Sequence, residues 1–588
     1  MVVVQIVQFR LAKGMKIVHS VSKQALSIVV LVTLRQKKKA RKRMTTTLFT
    51  NGKFFADQGK GQEHDAKFHD CMLVENGRIE YIGSDDANIR SVAASKGADV
   101  RDLEGRHVLP GFIDGHVHAL LLGQSLQRLN LERCQNLEEI RNAISTYAAT
   151  HLDAPRILCG GWMEFMTDGN PDVSMLDDLD QRPIYIVSRD LHSCWCNTAA
   201  IKEMGVESTP NPVGGTIHRD AQGKATGFLS EAACTVLVWP HLAQIATPEE
   251  RVEAMRDAIH ALHAVGCTGF VEMAMDDVAW DALKTLRAEM GGQLPVHIAA
   301  HWLVRPTDST KGDSEELIRA IELSKEFNAA TSPDFRIVGI KIMCDGVVDS
   351  CTAALIEPYS TTGVSTDPIW SPEALGPIVR NADQAGLQCA LHAIGDGAAK
   401  LAIDALSEHG TPGRRHRIEH LEVTSPGDGA RLAAAGITAS IQPAHADPVL
   451  LKAWPELLGT ARCGRAFAYG DFAASGANIS IGSDSPTASW DVLRNLYTAT
   501  TRRSVRDKDY TTVVNPEFAL SLCQAMQGVT HGSAYSCFAE GWTGSLAKGL
   551  QANFVVAKMD WTPQSLLQAQ VKETWYRGKK VYDAPVKN

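Results

Sequence analysis

The sequence predicts an α/β protein: a (β/α)8 TIM-type barrel with a small β-sandwich domain built from both chain ends. Three observations carry this. Short apolar runs alternate with amphipathic, helix-like stretches across the long middle of the chain, the pattern of βα units and a parallel sheet. No Gly-x-Gly-x-x-Gly loop accompanies them, which favours a closed barrel over an open nucleotide-binding sheet. Both ends of the chain read as short strands separated by glycine turns.

Residues 1–44 form a basic extension. They hold eleven Lys/Arg and no acid, which leaves –19 for the remainder of a chain whose net charge is –8. The apolar run "QALSIVVLVTL" (24–34) is short of the roughly 20 residues a bilayer span needs. "RQKKKARKR" follows it, the wrong flank for a cleaved signal peptide and one that resembles a nuclear-import patch. The missing acids also fit a mitochondrial presequence. Alternatively this segment has no folded role and translation begins at Met44. The default localisation is cytoplasmic, with no membrane partner. An acidic body argues against nucleic acid as a partner, which needs a cationic surface.

From 45 to 109, "TLFTNGKFF" and "DCMLVENGRIEYIG" each place Asn-Gly between apolar stretches, a hairpin signal. With 541–588, which contains "GLQANFVVAKM" and "VKETWYRGKKVYD", they make up the β-sandwich domain. The barrel occupies 110–540. Its candidate strands include "GFIDGHVH", 155–162, 182–193, 267–274, 294–304, 335–346, 386–397, 414–422, 436–443 and 477–486; 205–246 reads as an insertion. The thirteen cysteines form no framework. Cys194 and Cys196 lack a second pair at zinc-site spacing, so packed thiols and a reducing compartment are expected.

The chemistry concentrates at strand ends. His116 and His118 are two apart, so in a strand they project to one face. They lie at the carboxyl end of their run, where barrel active sites sit, and two imidazoles there can share a divalent ion. An HxH pair alone is a weak signal. It gains weight because His392, His420 and Asp484 also end later apolar runs, and because Lys341 lies inside the apolar run "IVGIKIMCDG".

In chain order, "GFIDGHVH", "VGIKIMCDG", "LHAIGDGA", "RIEHLE" and "IGSDSP" resemble the five metal-site segments of the amidohydrolase superfamily. The flanks "GGWMEF", "RPIYIVSRDLHSCWCNTAAI", "GGTIHRDAQGKATGFLSEAA" and "GSLAKGLQANFVV" resemble one branch, amidohydrolase family three (YtcJ-like), which includes N-substituted formamide deformylases. The resemblance runs from about 46 to 585. It implies that His116, His118 and Asp484 bind one ion, that His392 and His420 hold a second, and that a carboxylated Lys341 bridges the two. An unmodified Lys341 with a single ion is the rival. Zinc is the default for such donors.

The resemblance implies hydrolysis of a C–N bond in a small-molecule amide, N-acyl or N-formyl. A metal would activate water, and Asp484 would act as general base and then acid. It also implies that His192, in "RDLHSCW", faces the site and donates to the substrate oxyanion; a satisfied histidine outside the site is the alternative. Asp345 and Asp396 would orient ligands. Trp162, Trp195 and Trp302 read equally as pocket wall or core. Gln442 is a candidate substrate contact, and His301, His445 and His531 carry no assignment. The sequence departs from the branch at Cys344, Val347, Val348 and Asp349 and in the "GWMEF" loop, where specificity is set, so a relative's formamide substrate does not transfer directly. A deaminase or cyclic-amide hydrolase is the runner-up, with Glu419 or Glu422 as the acid. A non-catalytic scaffold is a remote third. Barrels of this size often form homodimers.

Overall fold

A computed structural model describes residues 46–56, 66–167, 171–189, 193–212, 215–231, 233–306 and 311–585. The basic extension, expected over 1–44, lies outside the described residues, as does His192.

Eight strands form the barrel: β1 (Phe112–Val117), β2 (Cys267–Met275), β3 (His297–Leu303), β4 (Phe335–Met343), β5 (Gln388–Ala393), β6 (Arg417–His420), β7 (Thr438–Ile441) and β8 (Ile479–Ile481). They pair in parallel and in sequence order. The sheet nearly closes on itself. An isolated parallel bridge joins Val117 to Ser485, and the Asp484 and His118 amides donate to the His116 and Ser485 carbonyls at 2.7 and 2.9 Å. Parallel strands are buried on both faces, so they read as continuous apolar runs; in β4 only Met343 is not buried.

Helices cover the outside. Pro248–Ala264, ahead of β2, opens with a capping box between Thr247 and Glu250 and turns Met255, Ile259 and Leu262 to the core. Within the barrel the packing is mixed. Ile113, Val271, Ala299, Val338 and Ala390 cluster with Ala534 and Cys537, while Arg336 lies 4.8 Å over the Trp542 ring.

Two sequence expectations change. The runs 155–162 and 182–193 are not barrel strands. Ile157–Trp162, Ile184–Ser188 and Ser193–Cys196 belong to a separate six-stranded sheet that begins at Leu129–Asn130 and ends at Ala225–Glu231. The insertion is therefore larger than 205–246. It has its own cores, and Trp162 and Trp195 are buried against each other there, at 5.7 Å between ring centroids. Trp302, in contrast, packs on Trp280 in the main core.

The two chain ends do combine. His107–Pro110 pairs antiparallel with Phe554–Lys558, joining N- and C-terminal strands into one eight-stranded sheet. Phe554 stacks on Trp575 at that seam, and Phe49 meets both edge-on, all at 5.2–5.3 Å between centroids. The hydrogen bonding defines one continuous sheet and does not separate the two layers of the expected sandwich. Among the described residues, no helix is long and apolar enough to cross a membrane.

Candidate metal centre

The carboxyl ends of β1, β5, β6 and β8 bring together His116, His118, His392, His420 and Asp484. His116 is the next-to-last residue of β1, and His118 caps the helix Ala119–Leu126 that follows. Each imidazole has one nitrogen spent. His116 Nδ1 lies 2.8 Å from Glu419 Oε2, and His118 Nδ1 lies 2.6 Å from the Met273 carbonyl. Both partners only accept, so both Nδ1 atoms carry hydrogen and both Nε2 atoms present lone pairs.

Those lone pairs meet one oxygen. Asp484 Oδ1 is 3.2 Å from His116 Nε2 and 3.1 Å from His118 Nε2. Three electron-rich atoms converging in a buried site need a positive charge between them. A proton or a divalent cation would meet that need, and the donor set suits a cation of the zinc class. Ligand atoms of His116, His420 and Asp484 all lie within 4.8 Å of one another. His420 Nδ1 is buried without a hydrogen-bond partner.

The backbone is strained where the ligands sit. His420, Leu421 and Asp484 have φ of 78°, 53° and 56°, left-handed values that cost non-glycine residues about 1–3 kcal/mol each. Hydrogen bonds hold them: the Leu421 amide donates to the Ala393 carbonyl at 3.0 Å, besides the Asp484–His116 bond above. Gly482 allows β8 to approach β1, since a Cβ there would lie 2.3 Å from the His116 nitrogen. Asp114 Oδ1 ties the same junction, accepting from the His116 and Ser483 amides at 3.1 and 2.9 Å.

The electrostatics follow from burial and partners. Burial opposes ionisation of Asp484, but a positive charge shared with His116 and His118 holds its carboxyl well below the usual range. Burial works to lower His118, and Asp484 outweighs it to give a net rise. Burial, then the Lys341 charge, pushes His392 down to about 3, and burial with His392 beside it holds His420 well below its ordinary value. Burial lowers Lys341 despite Glu419 and Asp484 nearby.

Around this set lies a supporting shell. Glu419 is fully buried, and Arg417 Nε donates to its Oε1 at 2.6 Å. Arg417 also donates to the Gly115 carbonyl at 2.6 Å and to Ser440 Oγ at 2.7 Å, crossing the barrel interior. Asp345 accepts from the Ile394, Gly395 and Ala354 amides at 2.8–3.0 Å, fixing the turn that follows His392. Asp396 instead accepts from the Ile356 amide at 2.9 Å, one turn away from the ligands. Glu272 accepts from the Ala119 amide at 2.8 Å, beside His118.

In the sequence, His445 carries no assignment and Glu422 only a part in the deaminase alternative; the two meet in the structure. His445 Nδ1 lies 3.0 Å from Glu422 Oε1, and its Nε2 lies 3.6 Å from Asp484 Oδ2. Burial works to lower this imidazole, and Glu422 and then Asp484 raise it; an ion at Asp484 would cancel the second contribution. Its ring stacks on His420 at 5.7 Å. The signal was present as "HLE" and "QPAH", each just past a strand end. Gln442 lies near by, its Nε2 3.4 Å from His116 Nδ1 and its Oε1 buried without a partner. His301 sits deeper, bonded to Gln388 at 2.8 Å. His531 is 3.5 Å from Ser545 Oγ.

The fold and this cluster define a parallel barrel with a candidate cation centre at its carboxyl rim. The chain belongs to the amidohydrolase family, whose sequence pattern matches residues 99–582. It is 29% identical to the protein LONG AFTER FAR-RED 3 of Arabidopsis thaliana, covering 91% of each chain. It is 27% identical to YtcJ of Bacillus subtilis (strain 168), which carries an amidohydrolase name, over 87% of this chain and 96% of that one. It is 25% identical to the N-substituted formamide deformylase of Arthrobacter pascens, over 87% and 95%. An uncharacterised metal-dependent hydrolase of Pyrococcus furiosus shares the fold with a TM-score of 0.71, at 24% identity over 88% of this chain and 99% of that one.

Proposed function

We propose that this protein is a metal-dependent hydrolase of a C–N bond in a small amide, an N-acyl or N-formyl amine. One observation carries the reading: two imidazoles, each with its other nitrogen spent, direct their lone pairs at a single carboxylate oxygen. Membership of the amidohydrolase family and the names of the Bacillus and Arthrobacter relatives support the class of bond.

His116, His118 and Asp484 would hold the ion, which zinc fits best. When bound, it supplies Lewis acidity: a polarised carbonyl, and a water acidic enough to attack near neutral pH. The residues do the rest. Asp484 divides its oxygens, with Oδ1 toward the histidines and Oδ2 away from them. Oδ2 takes the proton of the attacking water and returns it to the departing nitrogen. Glu419 holds His116 in one tautomer and the Met273 carbonyl holds His118. Lys341 is the group that would be carboxylated, since burial favours its neutral amine; with His392 and His420 it would hold a second ion. His192 remains the candidate oxyanion donor.

Glu419 is spent on Arg417 and His116, and Glu422 on His445, so neither stands as a free acid for deamination. The test is metal analysis of purified protein, then a screen of N-formyl and N-acyl amines with chelated and zinc-restored samples. Zinc-dependent amine release supports the reading. Ammonia from aminated heterocycles, with those amides intact, replaces it with the deaminase.

A further inference from the structure

We propose that His445, aimed by Glu422, is a catalytic residue that accepts a hydrogen bond from the substrate's amide N–H, so that the site selects secondary over tertiary amides. This rests on the hydrolase reading above.

Glu422 sets the orientation of the ring. It is buried, and a carboxylate oxygen can only accept, so the hydrogen in its 3.0 Å bond with His445 belongs to the imidazole Nδ1. That bond fixes the ring plane and turns Nε2 toward Asp484. Glu422 and Asp484 together raise the imidazole, and with an ion neutralising Asp484 the ring that acts on substrate is the neutral one, whose Nε2 accepts. Two groups lie near it. Thr487 Oγ1 is 3.5 Å away, but its hydrogen is already given to the Asp484 carbonyl at 2.5 Å. Asp484 Oδ2 is 3.6 Å away and is itself an acceptor.

Two acceptors therefore converge, 3.6 Å apart, with no donor between them among the described residues. A pair so placed fits a group carrying hydrogens toward both, and the departing nitrogen of an amide is such a group. In the substrate, a secondary amide nitrogen has one hydrogen, given to His445 Nε2. As the C–N bond breaks, the nitrogen gains a second hydrogen from Asp484 Oδ2, the proton taken from the attacking water. The electron pair of the broken bond stays on nitrogen, and the acyl group leaves as the acid. The nascent amine thus has a hydrogen for each acceptor. A tertiary amide has none for His445 and leaves it unpaired in a buried site, the arrangement by which sites built around a hydrogen bond reject analogues that lack the donor.

The neighbouring side chains keep His445 in place. Its ring stacks nearly parallel on His420, 7° between planes and 5.7 Å between centroids. His445 follows β7 on the turn Pro443–Ala446.

The experiment compares N-hexylformamide with N-hexyl-N-methylformamide, scored by formate release, in zinc-loaded full-length protein. Wild type is expected to favour the secondary amide in kcat/KM by about 10- to 100-fold, the value of one buried hydrogen bond. His445→Phe, checked for zinc content and circular dichroism, is expected to abolish the preference, the ratio of secondary- to tertiary-amide kcat/KM falling by about 10- to 100-fold. Glu422→Gln keeps an acceptor for Nδ1 and should retain most of the preference. A wild type with no preference overturns the inference without needing any variant. A His445→Phe protein that loses both activities equally overturns it too, while leaving the hydrolase reading intact. No formate from either amide with wild type overturns both.

Discussion

Removing the charge of Glu419 should uncouple two properties of the centre. Glu419→Gln leaves an oxygen that can still accept from His116 Nδ1, but it removes the anion that balances Arg417. Arg417 is fully buried, with Nε 2.6 Å from Glu419 Oε1 and Nη2 3.1 Å from Oε2. Breaking a buried pair on one side costs about 3–5 kcal/mol, because a charge is left uncompensated. Arg417 retains the Gly115 carbonyl and Ser440 Oγ, which places the loss near the lower figure. Loss of a carboxylate behind a ligating histidine weakens metal binding by about 10- to 100-fold, roughly 1.4–2.8 kcal/mol. Urea unfolding of the metal-free protein measures the first loss and zinc competition against a chelator measures the second. The double variant Arg417→Met/Glu419→Gln removes both charges and should recover more than half of the stability while the zinc affinity stays low. Recovery of zinc affinity along with stability in the double variant would refute the assignment of Glu419 to His116. An unchanged single variant would refute the whole arrangement.

Three further outcomes are expected. Gly482→Ala places a Cβ 2.3 Å from the His116 nitrogen and should cost about 3 kcal/mol or more by overpacking, with zinc affinity at least about tenfold weaker; a variant with wild-type melting and zinc binding rules out the close β1–β8 approach. Asp345→Ala orphans three amide donors at about 1–3 kcal/mol each, measured by thermal unfolding; a change within noise means the turn after His392 is held by something else. His263, bonded to the Pro295 carbonyl at 3.2 Å and pushed down to about 4 by burial, folds neutral. Its folded value lies below its ordinary 6.5, so its contribution to stability is complete above pH 6.5 and is lost as the pH falls toward 4; at 1.36 kcal/mol per pH unit that is about 3 kcal/mol. In His263→Gln the acid loss of stability should shrink by that amount relative to wild type, and identical pH curves for the two proteins would contradict it.

The ligand-bearing strands were legible because each chemical residue ends an apolar run, and parallel barrel strands are apolar throughout. That same property concealed the insertion. Ile157–Trp162 and Ile184–Ser188 are parallel and largely apolar, the second fully buried and the first half-buried, yet they pair in a different sheet, and nothing in their local composition records which sheet they join. The chain-end sheet was visible through its Asn-Gly turns, whereas its single-sheet pairing depends on His107–Pro110 meeting Phe554–Lys558 more than 440 positions away. Alternation also fails at β6. Arg417 and Glu419 point into the barrel as a period of two requires, but His420 reaches the same region only because its φ is positive, and backbone sign is invisible in a side-chain pattern. Glu422 and His445 each stand just past a strand end in the sequence, but that the two side chains meet depends on contact between β6 and β7 and is seen only in the structure.

The most direct test of the central claim is anomalous scattering at the zinc edge from crystals of the zinc-loaded protein. A peak is expected about 2.0–2.2 Å from His116 Nε2, His118 Nε2 and an oxygen of Asp484. A peak bound elsewhere, or a fully loaded protein with none at these three residues, would contradict it.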